Sequence, residues 1–262
     1  MDLDPDEIDI RLRSPIEVGR RMIALSAVSH LISRRAADVL ESAVDEDDGD
    51  EHDSESDDDS VGERFDWLTW LTQERLLDAL TVSERMLLDS RQSRLSPPEP
   101  DDDGAAGESL GALAWAVGRS DLTVLDRGFP YLDLLDSVPS PWDEAVQFLS
   151  GLTLRPEHEI ANARESAEIL FWRAQVEVER RTSKGRDRFD IEAAIRDVAA
   201  EAALAGVATL GEDGDLAVGS ESIARMSDTV ILGMVAAARA RLRAMNWLCG
   251  LGDWDDPVLT DI

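Results

Sequence analysis

The chain of 262 residues contains one cysteine, Cys249, one tyrosine, Tyr131, and one lysine, Lys184. A lone cysteine excludes an intrachain disulfide. No apolar run approaches the roughly 18 residues of a membrane helix, and Met1-Asp2-Leu3-Asp4-Pro5 lacks a basic leader region, so neither a membrane span nor a secretory signal is expected. None of the three histidines follows a Glu at the Glu-x-x-His spacing that a carboxylate-bridged metal pair needs in facing helices. Positive charge is the largest deficit: 26 Lys+Arg stand against 56 Asp+Glu, for a formal net charge of −30. Direct nucleic-acid binding is disfavoured, because no basic stripe exists beyond Arg239, Arg241 and Arg243.

What is present suits concentrated salt. Near-total use of arginine over lysine with an acidic surplus gives a chain whose self-repulsion is severe in dilute buffer and screened within about 3 Å at 1 M salt. A cytoplasmic protein from a halophilic, haloarchaeal-like source is expected. At 43% hydrophobic residues, a sizeable core is possible in one large domain or two small ones.

The periodicity predicts a mainly α fold: one multi-helix domain over 13–262 after a loose acidic lead at 1–12, interrupted by disordered acidic inserts at about 45–63 and 91–107. Ser14-Pro15-Ile16-Glu17 is a capping box with proline at its preferred first position, opening a helix to about Val44 in which Glu17 and Arg21 form an i,i+4 pair. His30 in that helix has no second ligand four residues on and receives no site role. Asp45 to Ser60 offers too little apolar surface to fold. It is not a calcium loop, since Gly49 takes a ligand position and Asp50 the place of the required glycine. Thr81-Val82-Ser83-Glu84 is a second capping box.

Gly107-Glu108-Ser109-Leu110-Gly111 matches the Gly-x-Ser-x-Gly nucleophile elbow, but no strand precedes it and the only later histidine is His158. Ser109 is read instead as a helix N-cap. Ser140-Pro141-Trp142-Asp143 is read as a helix start. Pro156 to about Arg181 forms a long amphipathic helix carrying Arg164/Glu168 and Arg173/Glu177 as surface pairs. An Ala-rich helix at 190–205 ends at Gly206, and at most one short β-hairpin follows at about 207–218, turning at Asp213-Gly214. The final helix begins near Ser220. Its stripe of Ile223, Met226, Val230, Met234, Ala238, Leu242, Met245 and Cys249 must face a core, and Gly250 stops it. Asp253, Asp255 and Asp256 lie just beyond this C-terminus, where the macrodipole disfavours carboxylates by roughly 0.3 to 1 kcal/mol each. Arginines are expected beside them.

Successive blocks of the chain resemble the domain-of-unknown-function family 4272. They are Arg13-Ser-Pro-Ile-Glu17-Val-Gly-Arg-Arg21-Met-Ile-Ala-Leu25, the run Trp70 to Glu84, Leu113-Ala-Trp115-Ala-Val-Gly118, Ile169-Leu-Phe-Trp172-Arg173, and Arg241-Leu-Arg-Ala-Met-Asn246-Trp247-Leu248 with Asp253-Trp254-Asp255-Asp256 and Asp261. The chain departs from that pattern at Ala240, where an acid often stands, at Leu242, where a histidine is common, and at Ile262. The resemblance implies a mainly helical cytoplasmic domain and supplies no activity.

Arg21 and Arg241 share an Arg-x-x-Ala-apolar setting; were their helices neighbours, the two could neutralise the terminal aspartates. The candidate binding or structural cluster is therefore Arg21, Arg241, Asn246, Trp247, Asp253, Trp254, Asp255 and Asp256. No catalytic triad, phosphate loop or metal-ligand set is found, so no catalytic residue, metal or cofactor is assigned. The favoured function is a non-catalytic protein-interaction module, with Trp70, Trp115, Trp247 or Trp254 lining a groove for an unknown protein partner. The alternative is an enzyme or small-ligand or metal binder that uses the Arg/Asp cluster.

Overall fold

The two capping boxes act where local sequence places them. A computed structural model describes residues 10–45, 67–88, 102–121, 128–129 and 134–258. Glu17 N donates to Ser14 Oγ at 3.3 Å and Ser14 N to Glu17 Oε2 at 2.9 Å, and helix α1 (Pro15–Asp45) starts there. The Ser14 hydroxyl and amide hold the Glu17 carboxyl below its ordinary range. Glu17 is therefore occupied locally. The expected pairing with Arg21 gives way to one between Arg21 and Glu84, at 2.5 Å.

Helix α2 (67–73) leads through a 3-10 turn, Leu77–Ala79, to α3 (Val82–Leu88). The second box opens α3, with Glu84 N on Thr81 Oγ1 at 3.2 Å and Thr81 N on Glu84 Oε2 at 2.8 Å. Helix α4 (Asp102–Ala116) begins inside the segment expected to be loose at 91–107. Of the expected acidic lead, residues 10–12 are ordered: Ile10 and Leu12 pack on the core, and Arg11 N donates to Cys249 O at 3.0 Å. Residues 1–9, all but Asp45 of the insert expected at about 45–63, and residues 91–101 of the one expected at 91–107 lie outside the described residues.

Helix α5 (Ala145–Ser150) starts later than Ser140. Ser140 to Asp143 is instead a turn, with Asp143 N donating to Ser140 O at 3.1 Å and Ser140 N to Asp143 Oδ2 at 3.1 Å. Trp142 sits at φ 75, which a helix cannot use. Helix α6 (Glu157–Thr182) is the long helix expected, and α7 (Arg186–Ala205) ends on Gly206 at φ 79.

Strands β1 (Thr209–Leu210) and β2 (Leu216–Val218) form the expected hairpin, in which Leu210 faces Leu216. A third strand, β3 (Glu221–Ser222), continues the antiparallel sheet. Gly219, at φ 62, takes the first position of the two-residue turn between Val218 and Glu221, where the twist of paired strands demands positive φ. That turn occupies residues expected to begin the last helix. Helix α8 (Asp228–Leu248) starts instead at Ser227, whose Oγ accepts from Val230 N at 3.4 Å.

Two apolar cores result, and α6 and α8 belong to both. The first gathers α1, α2, α3 and α4 with Ile160 and Ala163 of α6, Ala244, Met245 and Leu248 of α8, and Cys249 just beyond it. The second gathers α7 and the sheet with Ala167 to Ala174 of α6 and Ile231 to Leu242 of α8. Arg164 meets Asn246 while Arg181 meets Asp228, so the two helices run antiparallel. α4 packs against both α1 and α8 and lies between them. Helix α8 is consequently covered on two sides. Ile231 replaces Val230 in the expected stripe, and Ala240, Arg241, Ala244 and Leu248 are buried as well. Each large apolar side chain so covered stabilises by roughly 1.5 to 3 kcal/mol, more than the typical cap contribution of about 1 kcal/mol. Packing therefore decides this helix and capping only trims it.

Gly250 at φ 72 closes α8 in a Schellman motif, with Leu251 N on Asn246 O at 2.9 Å and Gly250 N on Trp247 O at 3.1 Å. A Cβ there would also lie 2.7 Å from Arg11 O, so both conformation and space call for glycine.

Candidate functional site

The sequence-predicted cluster separates into two places. Around the C-terminal tail, Arg13 lies 4.7 Å over the Trp247 ring, donates from Nε to Trp247 O at 2.8 Å and pairs with Asp253 at 3.4 Å. Trp247 meets Trp254 edge-on at 5.5 Å, and Arg21 lies 3.8 Å over Trp254. Arg21 also donates to Ala79 O at 2.7 Å. The tail is clasped to α1 by alternating guanidinium and indole groups. Asp256 Oδ2 accepts from Asp253 N at 2.7 Å, closing a local turn, and Asp255 is exposed.

Arg241 lies elsewhere. It faces α4, with Nε 2.7 Å from Glu108 Oε2 and its guanidinium 4.6 Å from the Phe129 ring centroid. Glu108 Oε1 accepts Phe129 N at 3.0 Å in the same cluster. Burial pulls Arg241 below its ordinary value, against the opposing pull of Glu108. Arg21 and Arg241 therefore do not converge on the terminal aspartates, because α4 stands between their helices. Asn246 joins α8 to α6 by accepting from Arg164 Nε at 2.9 Å. Ala240 and Leu242 are core positions, and Ala240 O accepts the Ser109 hydroxyl at 3.0 Å. Ser109 is thus buried within α4 and is neither an N-cap nor an exposed nucleophile. Burial also pushes the Cys249 thiol up to about 11.

The pairs expected on the surface of α6 are buried. Arg164 and Glu168 approach to 2.7 Å beneath α8. Arg173 forms a two-pronged bridge to Asp215, with Nε–Oδ1 and Nη2–Oδ2 both 2.7 Å, and reaches Glu177 at 2.9 Å. Glu177, with no exposed surface, also accepts from Arg180 at 2.7 and 2.8 Å and from Arg181 at 2.7 Å. Burial alone would raise its pKa; three arginines override that and bring it to about 2. Asp215 further accepts the amides of Leu216 and Ala224, at 2.8 and 3.1 Å. This network ties the sheet to α6.

A concave site lies along α1, away from the residues of the tail clasp. A cleft of about 360 Å³, in the range of small-ligand pockets, is lined by Ser26 and His30 of α1, Trp67 of α2, and the segment Leu135 to Trp142. Trp67 stands 5.6 Å from both the His30 and the Trp70 ring centroids. The outer wall is pinned to α2, because Trp70 Nε1 donates to Asp143 O at 3.1 Å and Ala145 N donates to Glu74 Oε2 at 3.3 Å. Pro141 followed by a positive φ is the order of a type II turn, which ordinarily wants glycine where Trp142 stands. A bulky residue so held is strained by about 1 to 3 kcal/mol. Trp142 is 54% exposed, whereas Trp70 and Trp115 are buried. His30 is the single titratable group in the lining. Sequence reasoning passed over His30 and read Trp142 as helical. The Ser-Pro-Trp-Asp order does start a turn, and only the long-range pins to Trp70 and Glu74 show why it stops there.

Among the described residues, no group of His, Cys, Asp and Glu is placed to hold a metal ion, and no helix is long and apolar enough to cross a membrane. The family described as Domain of unknown function (DUF4272) matches residues 3–187. The chain belongs to this family. The DUF4272 match contains the whole cleft, with Arg21, Glu84 and the first core helices, and ends before the sheet and α8. No curated protein and no solved structure matches the chain. Of the blocks that carry the resemblance, the Asn246-Trp247 and Asp253-Trp254 ending lies beyond the matched DUF4272 residues.

Proposed function

We propose that the protein is a non-catalytic interaction module of a salt-adapted cytoplasm, and that its recognition surface is the His30–Trp67–Trp142 cleft. The observation that carries this is Trp142: a large aromatic side chain held exposed, on a strained turn, at the mouth of a cleft whose other walls are fixed. Exposed aromatic anchors beside a preformed cavity are what protein interfaces use as hot spots. The tryptophans first considered for a groove serve otherwise, since Trp70 and Trp115 are core and Trp247 and Trp254 make the clasp. The reading as a metal or small-ligand binder through the Arg/Asp cluster has less support, because Arg21 and Arg241 are engaged by Glu84 and Glu108.

The test is affinity capture from native lysate in multimolar KCl, comparing wild type with Trp142→Gly and with Trp254→Ala. Trp142→Gly keeps the positive φ and should lose the captured partner, while Trp254→Ala should retain it. Equal capture by all three would refute the assignment. The salt adaptation is checked separately by the melting temperature, which should rise between dilute and multimolar KCl as self-repulsion is screened; a flat response removes that part.

A further inference from the structure

The molecule itself shows what its indoles accept. Three tryptophans carry a guanidinium from the chain: Arg13 over Trp247 at 4.7 Å, Arg21 over Trp254 at 3.8 Å and Arg155 over Trp115 at 5.0 Å. Among the described residues no such arginine lies over Trp67 or Trp142, and neither arginine nor lysine lines their cleft. The segment that forms the outer wall carries exposed carboxylates at Asp136, Asp143 and Glu144. The whole chain has a net charge of −30. Indole faces attract a desolvated cation at contact range, where concentrated salt screens far less than it screens the long-range field of an acidic surface.

We infer that the cleft takes an arginine or lysine side chain presented on an extended segment of a protein partner, an inference that rests on the reading of the cleft as the recognition surface. The cation sits against the exposed indole of Trp142, with Trp67 buried in the lining, and Asp136, Asp143 and Glu144, exposed on the neighbouring segment but outside the lining, make its surroundings acidic. A peptide-borne cation suits the geometry better than a free one. The cleft is far larger than a single ammonium group, and Trp142 at its rim offers apolar area for the residues flanking that cation.

The experiment is calorimetric titration of the full chain, in the salt that keeps it folded, with three Gly-Ser peptides identical except for a central arginine, trimethyllysine or norleucine, and with tetramethylammonium alone. The arginine and trimethyllysine peptides should bind about tenfold or more tightly than the norleucine peptide. That preference should disappear in Trp142→Gly and weaken in Trp67→Phe, both first shown to unfold at the wild-type midpoint or above. Equal binding of the norleucine peptide, with Trp142 still needed for partner capture, overturns the cationic inference and leaves the interaction surface standing. Binding of tetramethylammonium without any peptide overturns the segment as the source. No binding of any probe, together with partner capture indifferent to Trp142, overturns both.

Discussion

Replacing Glu177 by glutamine removes one charge from a site with no exposed surface while leaving the shape of the side chain nearly intact. Three arginines donate to this carboxylate, and their contacts hold Arg180 and Arg181 above their ordinary values. A fall of the Glu177 pKa from 4.5 to about 2, at about 1.4 kcal/mol for each tenfold change in proton affinity, is roughly 3 kcal/mol of folding stability. The independent expectation for breaking a buried ion pair from one side is about 3 to 5 kcal/mol, so the two routes agree. The folded-state value is the lower one. The contribution is therefore complete above pH 4.5 and is lost as pH falls toward 2. Denaturant unfolding in concentrated KCl should show Glu177→Gln weaker by roughly 3 kcal/mol at pH 7, with the gap closing through that acid window. A deficit under about 1 kcal/mol at pH 7, or a gap that keeps its size down to pH 2, would refute the assignment of stability to this carboxylate.

Four further substitutions have definite expected outcomes. Gly107→Ala should stabilise the protein by about 0.5 to 1 kcal/mol, since it lies in α4 with open space around the new methyl. Gly111→Ala should instead cost about 1 to 3 kcal/mol, because its methyl overlaps the Phe129 ring; thermal melts of the pair decide. Ser109→Ala removes a buried hydrogen bond to Ala240 O and should cost about 0.5 to 1.5 kcal/mol by denaturant titration, with partner capture unchanged. Arg21→Leu leaves Glu84 without its partner and should cost about 3 to 5 kcal/mol. A double-mutant cycle with Trp254→Ala should give a coupling of about 0.5 to 2 kcal/mol; additive effects would mean that the stacked geometry contributes nothing.

The features legible in the sequence are those whose physics is local. Ser14 with Glu17, Thr81 with Glu84, and Gly250 with Leu251 satisfy their own backbone within a few residues, so spacing alone reveals them. The mainly helical fold and the hairpin about Gly214 were readable for the same reason. Burial of α6 was not. Arg164/Glu168 and Arg173/Glu177 have the spacing of solvent-facing pairs, and what covers them, Asn246 and Asp215, comes from 82 and 42 residues away. Arg241 gave the same difficulty, because only the intervening α4 decides that it meets Glu108 and not the tail. Trp142 shows the limit most clearly. Its Ser-Pro-x-Asp setting suits a helix start and a type II turn equally, and the choice falls to contacts from α2.

The sharing of α6 and α8 between two cores bears on the order of assembly during translation. The amides of Arg11 and Arg13 bond to Cys249 O and Leu248 O, so the residues that lead into α1 meet the end of α8, which lies far along the chain from them. A nascent chain that has emerged only as far as α6 has the walls of the first core without the element that fills it. The first core, which includes Ala244, Met245 and Leu248, is therefore complete only once α8 has been synthesised.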